Sequence, residues 1–126
     1  MLTILERLGF AGWFGAAIWF SAFGTSALFG QLGVAGAAAA LDVLFASLFW
    51  FCVGCGALAT VGALGSRSPL RIALAALVLA AGLFLSLVVE PWFAQPGMFA
   101  AAHTTSFAVA VVAWLAAAAG LIAQRR

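Results

Sequence analysis

Four long apolar runs, separated by short interruptions rich in Gly, Pro or polar residues, dominate the chain. Each run is about 20 residues long, and about 20 residues of α-helix cross a hydrocarbon core about 30 Å thick. A helix also satisfies its own backbone hydrogen bonds, as lipid requires. The pattern therefore predicts that residues 1–126 form a single all-α domain, an integral membrane four-helix bundle with no soluble domain. The expected spans are about 8–29, 41–64, 71–89 and 99–123.

Helix-breaking residues mark the expected ends of these spans. The first run ends in the Gly-rich residues 30–33, the second stops at residues 65–69, and Pro91 closes the third. Proline lacks a backbone donor and disfavours helix at the residue before it, here Glu90. Residues 33–40 are rich in Gly and Ala and could form a loop or the first turns of the second span. The first run is too long for the apolar region of a signal peptide, so we expect it to be retained.

The composition excludes a water-soluble domain. Hydrophobic residues make up 67% of the chain and charged residues 6%, against about 45–50% and about 25% in a typical soluble domain. Lys and Tyr do not occur at all. So few charges leave no basic face for nucleic acid, and the sequence contains neither a phosphate-cradling loop nor a metal-finger framework.

All five basic residues fall at the same end of the predicted bundle. They are, in chain order, Arg7, Arg67, Arg71, Arg125 and Arg126. The opposite end has the acidic residues Asp42 and Glu90 and no basic residue. Because cytoplasmic loops carry the excess of basic residues, both termini are predicted to lie in the cytoplasm (N-in/C-in). We expect a multi-pass protein of a bacterial inner (plasma) membrane.

Cys52 and Cys55 form a C-x-x-C pair near the middle of the second span. A spacing of three residues places both sulfurs on one helix face, which could suit a soft metal ion such as Cu(I). A redox pair needs an accessible thiolate of low pKa instead, usually at a helix N-terminus, and the sequence indicates neither. The alternative interpretation is that both cysteines are small apolar packing residues.

Glu90 and His103 are the strongest candidates for a polar site. Glu90 ends the third span and His103 lies about one turn inside the fourth, so the turn between them brings both to one level of the bundle. Ionisable groups at this depth are costly unless they are paired. We expect the two side chains to be in contact, directly or through one water, either as a structural clasp or as a ligand, metal or proton site. Ser106 and Asp42 could complete such a site.

Several short motifs resemble a known family. They are Gly-Trp-Phe-Gly-Ala-Ala-Ile-Trp-Phe at residues 12–20, Ala-Leu-Phe at residues 27–29, the Glu90–Pro91 step, and Phe-Ala-Ala-Ala-His-Thr-Thr-Ser at residues 99–106. Their order resembles a four-helix membrane protein family of unassigned function that includes the human cisplatin-resistance-associated transmembrane protein. The resemblance implies a four-helix membrane protein with Glu90 and His103 at motif positions, and it implies no reaction.

The predicted function is non-enzymatic binding, in transport or as an accessory subunit of a larger membrane complex. No nucleophile–base pair is evident, and no cofactor is expected. The expected partners are the lipid bilayer and either further copies of the chain or a larger membrane complex, and no nucleic acid. The alternative is a metal or haem handling protein that uses His103 with Glu90 or with the Cys52/Cys55 pair.

The orientation can be tested with reporter fusions. A reporter placed after Gln124 should be cytoplasmic, and one placed within residues 91–97 should lie on the opposite, non-cytoplasmic side of the membrane. The reason is that every Arg falls on the side of the termini. Alkaline phosphatase and green fluorescent protein fusions report the two sides. The same localisation for both positions would contradict the prediction.

Overall fold

The computed structural model describes residues 1–125, so Arg126 and its part in the charge pattern lie outside the described residues. The regular structure of residues 1–125 is entirely helical, which confirms the predicted all-α class. Its elements are α1 (Leu2–Trp19), a π-helical turn (Phe20–Gly24), α2 (Thr25–Leu64), α3 (Pro69–Phe84), a second π-helical turn (Leu85–Val89), a 3-10 helix (Glu90–Ala94) and α4 (Phe99–Ala123).

Three continuous helices within the described residues are long and apolar enough to cross a membrane. They are Leu2–Leu64, Pro69–Ala94 and Phe99–Ala123, and their mean hydropathies are 2.0, 2.8 and 2.2. The chain therefore has the helices of a multi-pass membrane protein. The first helix contains 63 residues. If it were straight, it would be about 95 Å long, about three times the thickness of the hydrocarbon core.

This first helix instead reverses direction at Gly33. Gly33 has non-helical backbone angles (φ 70°, ψ −176°) that only glycine adopts readily. The residues on its two sides pack antiparallel, since Gly9 lies against Ala59 and Gly62 lies against Glu6. The residues before and after Gly33 thus form a helical hairpin.

The predicted interruption at residues 30–33 is confined to its last residue. Residues 34–40 are helical, so this segment forms the first turns of the second apolar run and not a loop. Helix persists this close to the reversal because an apolar segment has no other partner for its backbone polar groups.

A capped turn joins α2 to α3. Ser68 precedes α3, and its Oγ accepts a hydrogen bond from the backbone N of Arg71 at 3.4 Å. Pro69 lies in the first helical turn, where a missing backbone donor costs nothing. The helix therefore begins at Pro69, two residues before the predicted start at Arg71.

The third apolar helix does not stop at the predicted residue 89. It continues through the 3-10 helix to Ala94, because Pro91 falls in the first turn of that helix, where its N–H is not needed. The π-helical turn before it changes the hydrogen-bond register, so Pro91 interrupts no regular α-helical ladder. The fourth run, in contrast, forms a helix with the bounds expected from its sequence, Phe99–Ala123.

The helical segments form a closed ring. α1 and α3 each pack against both α2 and α4. We call the end that carries Arg7, Arg67 and Arg71 the Arg end, and the opposite end, which carries Asp42 and Glu90, the acidic end. Toward the Arg end the core consists mainly of Ala and Cys packed around Phe10 and Trp13.

Glycines let the helices approach at backbone distance. A Cβ added to Gly56 would lie 2.5 Å from the backbone N of Leu79, and one added to Gly82 would lie 2.7 Å from the backbone N of Val53. No heavy atom lies within 4 Å of the corresponding position at Gly54. Because lipid tails are as apolar as Leu, such close packing, and not hydrophobic burial, holds membrane helices together.

Gly56→Ala should therefore destabilise the bundle. The added methyl group overlaps the backbone of Leu79, and overpacking of this kind typically costs about 1–3 kcal/mol. Gly54→Ala is the matched control on the same helix and should be neutral or slightly stabilising. Thermal melting in detergent measures both variants. Equal melting temperatures for the two would contradict the role of Gly56.

Candidate functional site

A cavity of about 450 Å³ opens between the helices in the acidic half of the bundle. Side chains from α1, α2 and α4 line it, together with Phe93 of the 3-10 helix. Eight of the lining residues carry aromatic carbon rings, among them Trp13, Phe20, Phe45 and Phe99. A largely apolar, concave space with a few polar groups is the usual form of a small-molecule site.

Two ring contacts fix the register of α1 against its neighbours. The rings of Phe20 and Phe45 are 5.3 Å apart, and those of Phe14 and Trp114 are stacked at 5.1 Å. Counted from these pairs along antiparallel helices, Asp42 falls at the level of Phe23 and His103 at the level of Thr25, about 3 Å farther along the axis. The structure therefore brings two of the predicted site residues, Asp42 and His103, to one level of the cavity wall.

His103 presents its ring to this cavity from the second turn of α4. Its side chain is exposed and lies parallel to the ring of Phe99, with an interplanar angle of 5° and centroids 6.2 Å apart. Ser106 is buried and also lines the cavity, and its Oγ donates a hydrogen bond to the backbone oxygen of His103 at 2.9 Å. The Ser106 hydrogen is thus used within the helix, and its oxygen can still accept.

Glu90 lies in a neighbouring cavity. That cavity, of about 180 Å³, is lined by Glu90, Asp42, Phe45, Phe93 and Ala94. The stacked rings of Phe45 and Phe93, 5.9 Å apart, and the side chain of Asp42 line both cavities. Asp42 is therefore the acidic group common to the two spaces.

Glu90 and His103 form neither a hydrogen bond nor an ion pair with each other within the described residues, so the direct form of the expected contact is not present. The two side chains line different cavities. The short turn does bring α4 back beside the 3-10 helix. A contact through one water stays a prediction.

Cys52 and Cys55 are buried and free, and their sulfurs contact different helices. The Cys52 thiol donates to the backbone oxygen of Val78 in α3 at 3.6 Å. The sulfur of Cys55 lies beside Gly12 of α1. No group of three or more His, Cys, Asp or Glu side chains suited to a metal ion occurs within residues 1–125. Both cysteines belong to the tightly packed core.

An ion pair that the sequence analysis did not anticipate closes the Arg end. Glu6 of α1 is fully buried, and the side chain of Arg71 in α3 is 20% exposed. Arg71 Nε donates to Glu6 Oε1 at 2.8 Å, and Arg71 Nη2 donates to Glu6 Oε2. This bidentate geometry is the strong form of an Arg–carboxylate contact. A signal was present, since Glu6 is the single acidic residue at the end that carries the arginines.

These features define a multi-pass helical membrane protein with a partly open aromatic cavity between its helices. A family model described as a domain of unknown function (DUF4149) matches residues 8–96, and the chain belongs to this family. The match includes Asp42 and Glu90 and ends before α4. Nothing in the comparisons links the chain to the family of the human cisplatin-resistance-associated protein. No curated protein and no solved structure matches the chain.

Removing one partner of the Glu6–Arg71 pair should destabilise the protein strongly. Arg71→Gln leaves the fully buried Glu6 carboxylate without its partner, which typically costs about 3–5 kcal/mol. Glu6→Gln should cost less, because the Arg71 side chain that it leaves is 20% exposed. The double variant should cost less than the sum of the two single variants. Unfolding in detergent measures the cycle, with exposed Arg7→Gln as the control. Additive effects would show that the two side chains do not interact.

Proposed function

We propose that this chain is a four-crossing membrane protein that acts by non-enzymatic binding of small, largely apolar molecules taken from the bilayer. The observation that carries the proposal is the aromatic cavity between the helices, with Asp42 and His103 at one level of its wall. In a chain with so few charges, an ionisable group that faces an internal cavity marks a site of function.

The hairpin at Gly33 supports four crossings. Each half of Leu2–Leu64 is about 30 residues long, which exceeds the roughly 20 residues that one crossing needs. With Pro69–Ala94 and Phe99–Ala123 the chain then crosses four times. An even number of crossings places both termini and the Arg end on one side, and the positive-inside rule makes that side the cytoplasm. Assignment to a bacterial inner membrane stays a prediction.

Binding of this kind serves either of two roles. In transport, the cavity would hold a molecule that enters from the outer leaflet near the acidic end. In an accessory subunit, it would hold a molecule for a partner in a larger membrane complex. The other interpretation, metal or haem handling through His103 with Glu90 or the Cys52/Cys55 pair, stays a prediction. The sulfurs of that pair point to different helices.

Filling the cavity should abolish binding. Ala17 and Ala38 line the cavity, and Ala38 is exposed, so Ala38→Phe blocks the space without overpacking the core. Ala17→Phe and Ala38→Phe should each weaken binding of the uncharged dye N-phenyl-1-naphthylamine by about tenfold or more, equivalent to about 1.4 kcal/mol. The readout is dye fluorescence with purified protein in lipid nanodiscs.

The matched control is Ala11→Phe, an exposed position on α1 outside the cavity. It should bind the dye as the wild type does. Native mass spectrometry from mild detergent should rank the proteins in the same way: small molecules that co-purify should be retained by the wild type and by Ala11→Phe and reduced in Ala17→Phe and Ala38→Phe. Equal dye binding by Ala11→Phe, Ala17→Phe and Ala38→Phe would overturn the proposed function.

A further inference from the structure

The cavity is a slot that runs along the bundle axis. Its lining extends from Trp13 to Phe29 along the first apolar segment, a rise of about 24 Å for a helix of this length. A volume of about 450 Å³ spread over such a length admits one extended chain or one line of rings. The ligand that fits is therefore elongated and narrow, and a two-chain lipid does not fit.

Polar groups are concentrated toward one end of this slot. The polar lining residues all lie in the half toward the acidic end, and the lining from Trp13 to Phe20 is apolar; these polar residues are Ser21, Thr25, Asp42, His103 and Ser106. The slot therefore suits an amphiphile whose polar head lies at the level of Asp42. Its apolar body would point toward Trp13.

With His103 counted as neutral, the formal charges at this level are all negative. Asp42 lines both cavities and Glu90 lines the smaller one, and no Lys or Arg lies between Arg7 and Arg67 or between Arg71 and Arg125. A positive head group would be attracted by both carboxylates, and an anionic head would be repelled by them. The faces of aromatic rings add to this preference, since their π-systems attract cations. The stacked Phe45 and Phe93 lie beside both carboxylates.

The deep end of the slot holds an independent feature. Trp13 is fully buried and lines the cavity, and its indole Nε1 has no hydrogen-bond partner. A buried donor without a partner costs free energy that a ligand acceptor can recover. The rise from Trp13 to Phe23, which lies at the level of Asp42, is about 15 Å.

We propose that the slot takes elongated amphipathic cations, with the positive head at Asp42 and Glu90 and a hydrogen-bond acceptor at the far end of the apolar body, against Trp13. This inference rests on the proposed binding function and names its ligand class. Lipophilic amines and quaternary ammonium compounds carrying an ether or carbonyl group at the remote end belong to this class.

The test compares three compounds that carry the same dodecyl chain and differ in the charge of the head group. Dodecyltrimethylammonium, dodecanol and dodecyl sulfate, below their micellar concentrations, compete with N-phenyl-1-naphthylamine for the protein in nanodiscs. The cation should displace the dye at a concentration about tenfold or more below that of the other two compounds. Asp42→Asn should weaken displacement by the cation about tenfold, as expected for loss of a charged partner. Asp42→Glu should restore it.

A second arm tests the deep end. A trimethylammonium probe with a terminal methoxy group on the dodecyl chain should bind more tightly than the plain probe to the wild type. Trp13→Phe should remove that advantage, since it keeps an aromatic ring and deletes the N–H. Thr104→Val, at an exposed position outside the cavity, is the matched control and should change neither result.

The outcomes separate the inference from the function on which it rests. Equal displacement by all three head groups, or an unchanged cation affinity in Asp42→Asn, overturns the cation preference. If the wild type still binds the dye and Ala38→Phe does not, the proposed binding function stands even in that case. An unchanged methoxy advantage in Trp13→Phe overturns the acceptor contact. Failure of the wild-type protein to bind the dye overturns the proposed function itself.

Discussion

Backbone-to-backbone contact between helices is the constraint on which the rest of this structure depends. Hydrophobicity cannot hold these helices together in lipid, so the bundle depends on places where a side chain is absent. Gly9, Gly56, Gly62 and Gly82 provide such places, each facing the backbone of a neighbouring helix. All four contacts lie toward the Arg end or the middle of the bundle. That part of the molecule is closed for this reason.

In the acidic half of the bundle, large side chains and not glycines make the contacts between helices. Its interhelical contacts are made by large rings, including Phe20, Phe45, Phe93 and Phe99. Rings hold helix axes farther apart than glycines do, so the bundle widens and a slot is left between the helices. The cavity is thus a product of how residue sizes are distributed along the chain. The Glu6–Arg71 pair closes the narrow end, where a bidentate ion pair joins α1 to α3.

Much of the fold could be predicted from the sequence because it follows from composition and helix length. The apolar runs and their breakers indicate membrane helices, and the bounds of α4 follow from Pro96, Gly97 and the run after them. The predicted end of the third span was too early, because Pro91 lies in the first turn of the 3-10 helix. Proline is tolerated in a first helical turn but breaks a helix in its interior. The single-residue reversal at Gly33 could be localised only to a Gly-rich stretch, since Gly30 and Gly33 can both adopt the positive φ that the reversal needs.

The candidate site was harder to predict, because side-chain meetings across helices depend on register. Asp42 and His103 were both candidates, and they do share a level of one cavity. Glu90 was expected beside His103, but the two side chains line different cavities, since sequence spacing gives depth along the bundle but not the direction in which a side chain faces. Trp13 was not among the candidates, because its unpaired N–H is visible only when its surroundings are known. Glu6 was overlooked because it lies outside the predicted span.

The two π-helical turns have a consequence for the phase of the chain. Phe20–Gly24 and Leu85–Val89 each precede part of the cavity wall, with Thr25 and Phe29 after the first and Phe93 after the second. A π-helical turn holds one residue more than an α-helical turn over about the same rotation, so it absorbs the extra residue and the helix beyond it keeps its phase. Removing one residue from either turn would restore an α-helical turn and leave the wall beyond it facing the slot. The same deletion in a regular α-helix would rotate the residues beyond it by about 100°, so these two turns are the places where the helices that line the cavity tolerate a change in length.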